Sequence, residues 1–305
     1  MAHVSICLVG YRNLTDVAAC IESLAVSTYL DFEIIICENG GGDAHAMLAT
    51  LLPASLAGGQ PVRILPPTGN LGYAGGNNRC VAARPDSDLW WILNPDTRVG
   101  PDAMKLLVAH LTRSAADAVG GTLLRPDGRV QAYGGRWTTL FARAESIGQG
   151  EAYDPSIDAM THEIDYILGA SLMFTRRFLE VAGPMREDYF LYGEEVEWCL
   201  RARALGLRLG VEPRAVVTHA QGTTTGDNAA FAAKPWLPVY LDQRNKLLIL
   251  RDVAPDFAIP GAAGSLLMLL GRATKNRAWR QLGFGISGWL AGVRGERGIP
   301  PRLNG

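Results

Sequence analysis

Short, unbroken apolar runs recur through the first hundred residues, separated by stretches in which apolar positions return every third or fourth residue. His3 to Val9, Phe32 to Cys37, Val62 to Leu65 and Leu89 to Leu93 read as buried strands. Thr15 to Val26 places Val17, Ala18, Ile21 and Leu24 on one helical face, with Thr15 as its N-cap. Asp43 to Leu52 and a glycine-led segment from Gly72 to Ala83 supply further helices. Apolar strands alternating with helices predict an α/β fold with a mostly parallel sheet covered on both faces. Ligands on such sheets sit beyond the carboxyl ends of the strands. Glu38 and Asp96 fall at two of those ends and are expected to face one crevice.

The pattern loosens after residue 100. Pro101 to Leu111 and Arg176 to Ala182 predict helices. Ala118 to Leu124, Arg129 to Tyr133, Ile164 to Thr175 (interrupted at Gly169-Ala170) and Ala215 to Thr218 predict strands. Residues 142–162 and 221–233 read as mobile surface segments, the second as a lid that closes over a ligand. Leu237 to Leu250 and Ala278 to Val293 return to helical spacing, with Lys275, Arg277, Arg280 and Arg294 around the apolar positions.

Composition narrows the class. A chain of 305 residues with a net charge of −1 has no global field to recruit nucleic acid, so any bound anion needs a local site. Five scattered cysteines without metal-ligand spacing predict buried, reduced thiols and a cytoplasmic location. The N-terminus enters a strand at once and lacks the basic start of a signal peptide. The longest apolar stretch, Phe257 to Leu270, is too short for a span and is interrupted by Pro260, Gly261 and Gly264, which argues against an integral membrane protein.

Candidate chemistry lies at two acidic spots. Asn94-Pro95-Asp96-Thr97 ends a strand and projects Asp96 at the sheet edge, where a carboxylate suits Mg²⁺ or Mn²⁺ shared with a diphosphate. The plainer alternative makes Asp96 or Thr97 a cap for the next helix. Glu194, Glu195 and Glu197 begin a helix after the aromatic run Tyr189-Phe190-Leu191-Tyr192-Gly193. Acids at a helix start need no function, because the macrodipole favours them. The aromatic entry, however, predicts a partly buried carboxylate that is both ionised and basic. The glycines of Gly72-x-x-Gly75-Gly76-Asn77-Asn78 suit either a phosphate or close helix packing. His219 ends a strand and is either structural or a second metal ligand.

Segments 4–13, 34–40, 69–78, 93–97, 169–174, 189–202 and 219–222 resemble, in order, the inverting family 2 glycosyltransferases, and most of all their rhamnosyltransferase-like branch. The resemblance implies a GT-A fold. It also implies a nucleotide-diphosphate sugar donor and a glycan or lipid-linked acceptor. In these terms Tyr11 and Glu38 contact the nucleobase and ribose, Asn70, Gly75 and Asn94 line the nucleotide pocket, and Arg244 lies near the diphosphate. Asp96 holds the divalent cation with His219, and Glu195, with Glu194 beside it, is the base. Residues 1–235 form the catalytic domain, with a donor half to about residue 100 and an acceptor half after it. Residues 236–305 form a helical extension, facing either the inner membrane surface or a second copy in a homodimer.

Two residues depart from the family pattern. The family usually carries Asp-Asn at the second strand's end and Glu-Asp at the base site, and here Glu38-Asn39 and Glu194-Glu195 stand there, so each replaced carboxylate is displaced by a methylene. This keeps an inactive sugar-nucleotide-binding scaffold open as an alternative. A sugar-nucleotide pyrophosphorylase fits less well, because Gly10-Tyr11-Arg12-Asn13 lacks the basic glycine loop such enzymes carry.

Overall fold

The first half of the chain lays down parallel strands one after another. A computed structural model describes residues 2–157, 164–220 and 229–303. Strands β1 (Val4–Gly10), β2 (Phe32–Glu38), β3 (Val62–Ile64) and β4 (Leu89–Leu93) are linked by helices α1 (Leu14–Leu24), α2 (Gly42–Leu51) and α3 (Gly72–Ala82). Next come β5 (Thr97–Val99), α4 (Ala103–Arg113), β6 (Ala118–Leu124) and β7 (Val130–Ala132). A separate hairpin pairs β8 (Gly135–Thr138) with β9 (Arg143–Ser146). The chain returns through β10 (Ser171–Thr175), α5 (Arg176–Ala182), α6 (Glu194–Ala204) and β11 (Leu209–His219). It finishes with α7 (Trp236–Val253), α8 (Ala258–Lys275) and α9 (Trp279–Arg294).

The main sheet runs β3-β2-β1-β4-β10-β6-β11-β5, with β7 added on β6. It is parallel across β3-β2-β1-β4. β10 enters antiparallel between β4 and β6. Side chains alternate across β1, so Ile6 and Leu8 pack with α1 and α4 while Cys7 packs with α3 and α6. Helices therefore cover both faces, as the unbroken apolar strands predict. All five cysteines are buried and free.

Several expectations are corrected. The α1 N-cap is Asn13, not Thr15, and its side chain makes no capping bond. Residues 143–146 of the predicted surface segment form β9, and the 164–175 strand begins only at Ser171. Thr97 opens β5 and Asp102 precedes α4, so neither Asp96 nor Thr97 caps that helix. Most of the predicted lid, 221–228, lies outside the described residues; Phe231–Ala233 form a 3₁₀ turn.

The stretch expected to be broken at Pro260 is instead a continuous helix, and Pro255–Lys275 is long and apolar enough to cross a membrane. Proline is tolerated because it stands in the first turn of α8. Gly261 and Gly264 are tolerated because they fit against the carbonyls of Thr139 and Leu140. α8 packs one face on α7, α9 and the turn at 139–141.

Candidate active site

The cation candidates meet where β4 ends beside the last residue of β11. β11 runs antiparallel to β5 with His219 opposite Thr97, and the Ala220 amide donates to the Asp96 carbonyl at 3.0 Å. His219 Nε2 thereby lies 3.2 Å from Asp96 Oδ1, and both side chains are buried. The His219 Nδ1–H donates to Gln131 Oε1 at 3.0 Å, because an amide oxygen can only accept. Nε2 then faces Asp96 Oδ1, with Asn94 Nδ2 3.4 Å away. Asn94 Oδ1 is buried without a partner. Two ligands with bonds near 2.1 Å at roughly a right angle stand about 3 Å apart, so the spacing and the oxygen-plus-imidazole donor set fit a divalent cation. Gln131, which orients the ring, was not foreseen from the sequence.

Glu38 closes the donor side. Its Oε1 accepts from the amides of Arg12 at 2.9 Å and Gly40 at 2.7 Å. Its Oε2 is buried without a partner beneath Gly10, where a Cβ would approach to 2.5 Å. The longer arm of a glutamate is thus absorbed by bracing the turn at residues 10–12, with one oxygen left to accept. Tyr11 stands exposed beside it with the Arg12 guanidinium over its ring. Asn70 is exposed, and its Oδ1 accepts from the Gly72 amide at 3.0 Å where α3 begins. Gly75 is buried, with room for a Cβ denied by Leu71, and Gly76 packs on Val9. These two glycines therefore serve helix packing.

The acidic helix start is held rigidly. Trp198 of α6 packs edge-on against Phe174 and Phe178, at centroid distances of 5.0 and 4.8 Å, and its Nε1 donates to the Gly183 carbonyl. Each such aromatic pair contributes about 0.5–1.5 kcal/mol beyond its buried area. Glu197 is spent on structure, forming a bidentate pair with Arg201 that in turn binds the carbonyls of Ala182 and Pro184. Glu194 is buried, with Oε2 unpartnered. Burial first, then the adjacent charge of Glu195, holds its pKa well above the ordinary carboxylate value. The pKa of Glu195 is also raised by burial, and backbone amides at the helix start oppose the rise. Glu195 reaches a pocket of about 160 Å³ lined by Trp137, Tyr166, Tyr192 and, from α7, Asp242 and Lys246.

The loop that leads into α6 is strained. Phe190 and Tyr192 adopt φ of 68° and 70°, a region that bulky residues avoid. Asn245 Nδ2 holds it by donating to the carbonyls of Tyr189, Leu191 and Tyr192, at 3.2, 2.8 and 2.6 Å. Arg244 supports the same loop. Its Nη2 donates to the Tyr189 carbonyl, Nη1 to the Gly298 carbonyl and Nε to Asn245 Oδ1. Buried and held by these three bonds, Arg244 acts on the loop before α6, and its charge opposes the rise in the pKa of Glu194. Asn245 gave no signal in the sequence beyond its place in the Gln-Arg-Asn-Lys run.

Tyr73 ties the two acidic spots together. Its hydroxyl donates to the Gly169 carbonyl at 2.7 Å, and its amide donates to the Phe190 carbonyl at 2.8 Å. The phenol is pushed far above its ordinary pKa by burial, then by the charges of Glu195, Glu194 and, more weakly, Asp96. Gly169 precedes Ala170, whose carbonyl accepts from the Asn94 amide at 3.1 Å, so Tyr73 bridges the loop before Glu195 and the strand end that carries Asp96.

Residues 5–168 match the family described as Glycosyl transferase family 2. The chain is 28% identical over 244 residues to the low-salt glycan biosynthesis hexosyltransferase Agl10 of Haloferax volcanii, covering 77% of this chain and 76% of that one. It is 26% identical over 231 residues to an N-acetylglucosaminyl-diphospho-decaprenol L-rhamnosyltransferase of Mycobacterium tuberculosis, covering 69% and 73%. Its fold matches the mannosyltransferase PcManGT of Pyrobaculum calidifontis, solved with GDP-Man and Mn²⁺, with a TM-score of 0.58 at 14% identity over 96% of this chain and 87% of that one. S. aureus TarS 1-349 matches with a TM-score of 0.56 at 12% identity, covering 95% and 81%. With more than half its length matched and a GT-A α/β fold, the chain belongs to glycosyl transferase family 2.

Proposed function

We propose that this glycosyltransferase is a metal-dependent, inverting enzyme that moves a hexose or deoxyhexose, with rhamnose the first candidate, from a nucleoside-diphosphate donor to a hydroxyl of a glycan or lipid-linked acceptor. The observation that carries this reading is the His219–Asp96 pair at 3.2 Å, linked through Asn94, Ala170, Gly169 and Tyr73 to the loop that delivers Glu195. A base and a cation site on one crevice are what a single in-line displacement requires. The branch to which the chain is similar supports rhamnose and a lipid-linked acceptor.

Residues 1 to about 100 would bind the donor, 101–235 the acceptor, and 236–305 would support the acceptor side. Glu38 would accept a ribose hydroxyl through its free Oε2, with Tyr11 against the base. Glu195 takes the proton of the acceptor hydroxyl as that oxygen attacks the anomeric carbon; burial keeps it basic and the helix start keeps it ionised. Glu194 beside it, with its pKa raised by burial and then by the charge of Glu195, holds a proton more readily than an ordinary carboxylate, which limits the negative charge facing the acceptor. Asp96 and His219 would hold Mg²⁺ or Mn²⁺, which when bound supplies the charge that stabilises the departing diphosphate. Such a site lies on the cytoplasmic side, where nucleotide sugars are made.

A panel of nucleotide sugars tests the proposal. Mn²⁺-dependent release of nucleoside diphosphate from one member is expected. Tight donor binding with no release under any acceptor or metal condition would instead mark an inactive sugar-nucleotide-binding protein.

A further inference from the structure

The C-terminal helices present their large apolar residues to the outside. α8 exposes Ile259 (84%), Leu267 (67%) and Leu270, with Pro260, Ala263 and Gly271 between them on the same side. α9 exposes Trp279 (62%), Ile286, Leu290 and Val293 in one stripe. Their inward faces are built from small residues. Gly264 of α8 lies against the Leu140 carbonyl, and Gly285 and Gly288 of α9 lie against Leu269 and the Tyr240 carbonyl. Helices that only completed a soluble core would point these large side chains inward.

The charge of this region has one sign. From Phe257 onward the chain carries seven Lys and Arg and a single acid, against 22 basic and 29 acidic residues before it. Arg272, Lys275 and Arg277 lie exposed where α8 ends and the chain turns, and exposed Arg280 and Arg294 border the α9 stripe. The apolar surface also runs on toward the site. Exposed Leu140 and Phe141 sit in the turn packed on α8, between β8 and β9, and those strands supply Trp137 and Ala144 to the Glu195 pocket.

We propose that this face docks on the surface of a bilayer bearing anionic headgroups. Its apolar side chains enter the headgroup–acyl boundary and its basic residues meet lipid phosphates. Docking in this way sets the mouth of the Glu195 pocket at the interface. Only the identity of what is presented there, a lipid-linked saccharide, rests on the transferase reading. Charge selects lipid over a second copy of the chain, because two-fold pairing through this face would bring two strongly positive surfaces together.

Co-sedimentation of the full chain with vesicles tests it, using equal parts phosphatidylglycerol and phosphatidylcholine against phosphatidylcholine alone. Partitioning onto the anionic vesicles is expected to be roughly tenfold or more stronger and to weaken with added salt. The variant Ile259→Ser/Leu267→Ser/Leu270→Ser should lose binding to both vesicle types. The variant Arg272→Glu/Lys275→Glu/Arg280→Glu should lose the anionic preference. Both should keep the parent melting temperature and Mn²⁺-dependent donor hydrolysis. Equal partitioning of all three proteins overturns the proposal, as does a dimer that the apolar variant converts to monomer without any vesicle binding. Retention on membranes after an alkaline carbonate wash also overturns it, in favour of a spanning α8. Vesicle binding without donor hydrolysis would sink the transferase reading alone, and hydrolysis without vesicle binding would sink the docking alone.

Discussion

His219 and Asp96 approach to 3.2 Å, Nε2 to Oδ1, at the point where β11 runs beside the turn that ends β4. The imidazole is fixed from behind by Gln131, so its free nitrogen faces the carboxylate and Asn94. On the proposed reading, this pair would hold a divalent cation, with a donor diphosphate filling the remaining positions.

Asp96→Ala is therefore expected to abolish the Mn²⁺ dependence of donor binding, and Gln131→Leu to weaken metal affinity about 10–100-fold while leaving both direct ligands in place. Calorimetric titration of a donor with and without Mn²⁺ reads both effects. An Asp96→Ala protein that still binds donor more tightly with Mn²⁺ would remove Asp96 from this role.

Turnover should depend on pH through Glu195. Burial raises its pKa, so the active, ionised form is lost at a higher pH than for an ordinary carboxylate. The acid limb of the kcat/KM profile should therefore have its midpoint above about 4.3, the usual glutamate value. A limb at or below that value would mean that the base is a solvated carboxylate elsewhere.

Glu194 makes a prediction about stability. Its folded pKa is raised above its unfolded value, so the folded state binds the extra proton. Its contribution to stability is fully present below the unfolded pKa and is lost as pH rises through the folded pKa. Glu194→Gln should raise the melting temperature at pH 7–8 and leave it unchanged near pH 4. Equal shifts at both pH values would contradict a neutral, buried Glu194.

Asn245 is the clamp on the strained loop before α6. Asn245→Ala removes the donor to the carbonyls of Leu191 and Tyr192, while that of Tyr189 keeps Arg244, and should cost about 1–3 kcal/mol in urea unfolding. Because the loop delivers Glu195, kcat should fall more than donor affinity. Gly72→Ala attacks the same loop from the other side: φ there is 71° and a Cβ would stand 2.1 Å from the Phe190 carbonyl oxygen. A destabilisation of that order, about 1–3 kcal/mol, is expected.

The donor half was legible because β1, β2 and β4 are buried on both faces and show as largely apolar runs, and because Glu38 and Asp96 stand at strand ends. The second half hid more. β9 reads Arg-Ala-Glu-Ser and is mostly exposed, so no hydrophobic pattern marks it. α8 was missed because Pro260, Gly261 and Gly264 are helix breakers in isolation, and only the carbonyls of Thr139 and Leu140 packed against the two glycines explain them. The family resemblance implied a place near the diphosphate for Arg244. Its engagement with Tyr189 and Gly298 depends on tertiary contacts that no local pattern carries. Gln131 and Asn245 were invisible for the same reason: each acts on a partner distant in sequence.

The most direct test is Glu195→Gln, which keeps size and shape but cannot take a proton. Under single-turnover conditions with Mn²⁺ and saturating acceptor, sugar transfer should fall by about 10²–10⁴-fold while donor affinity stays at the parent value. Transfer at near-parent rate, with donor binding unchanged, would contradict the assignment of Glu195 as the base.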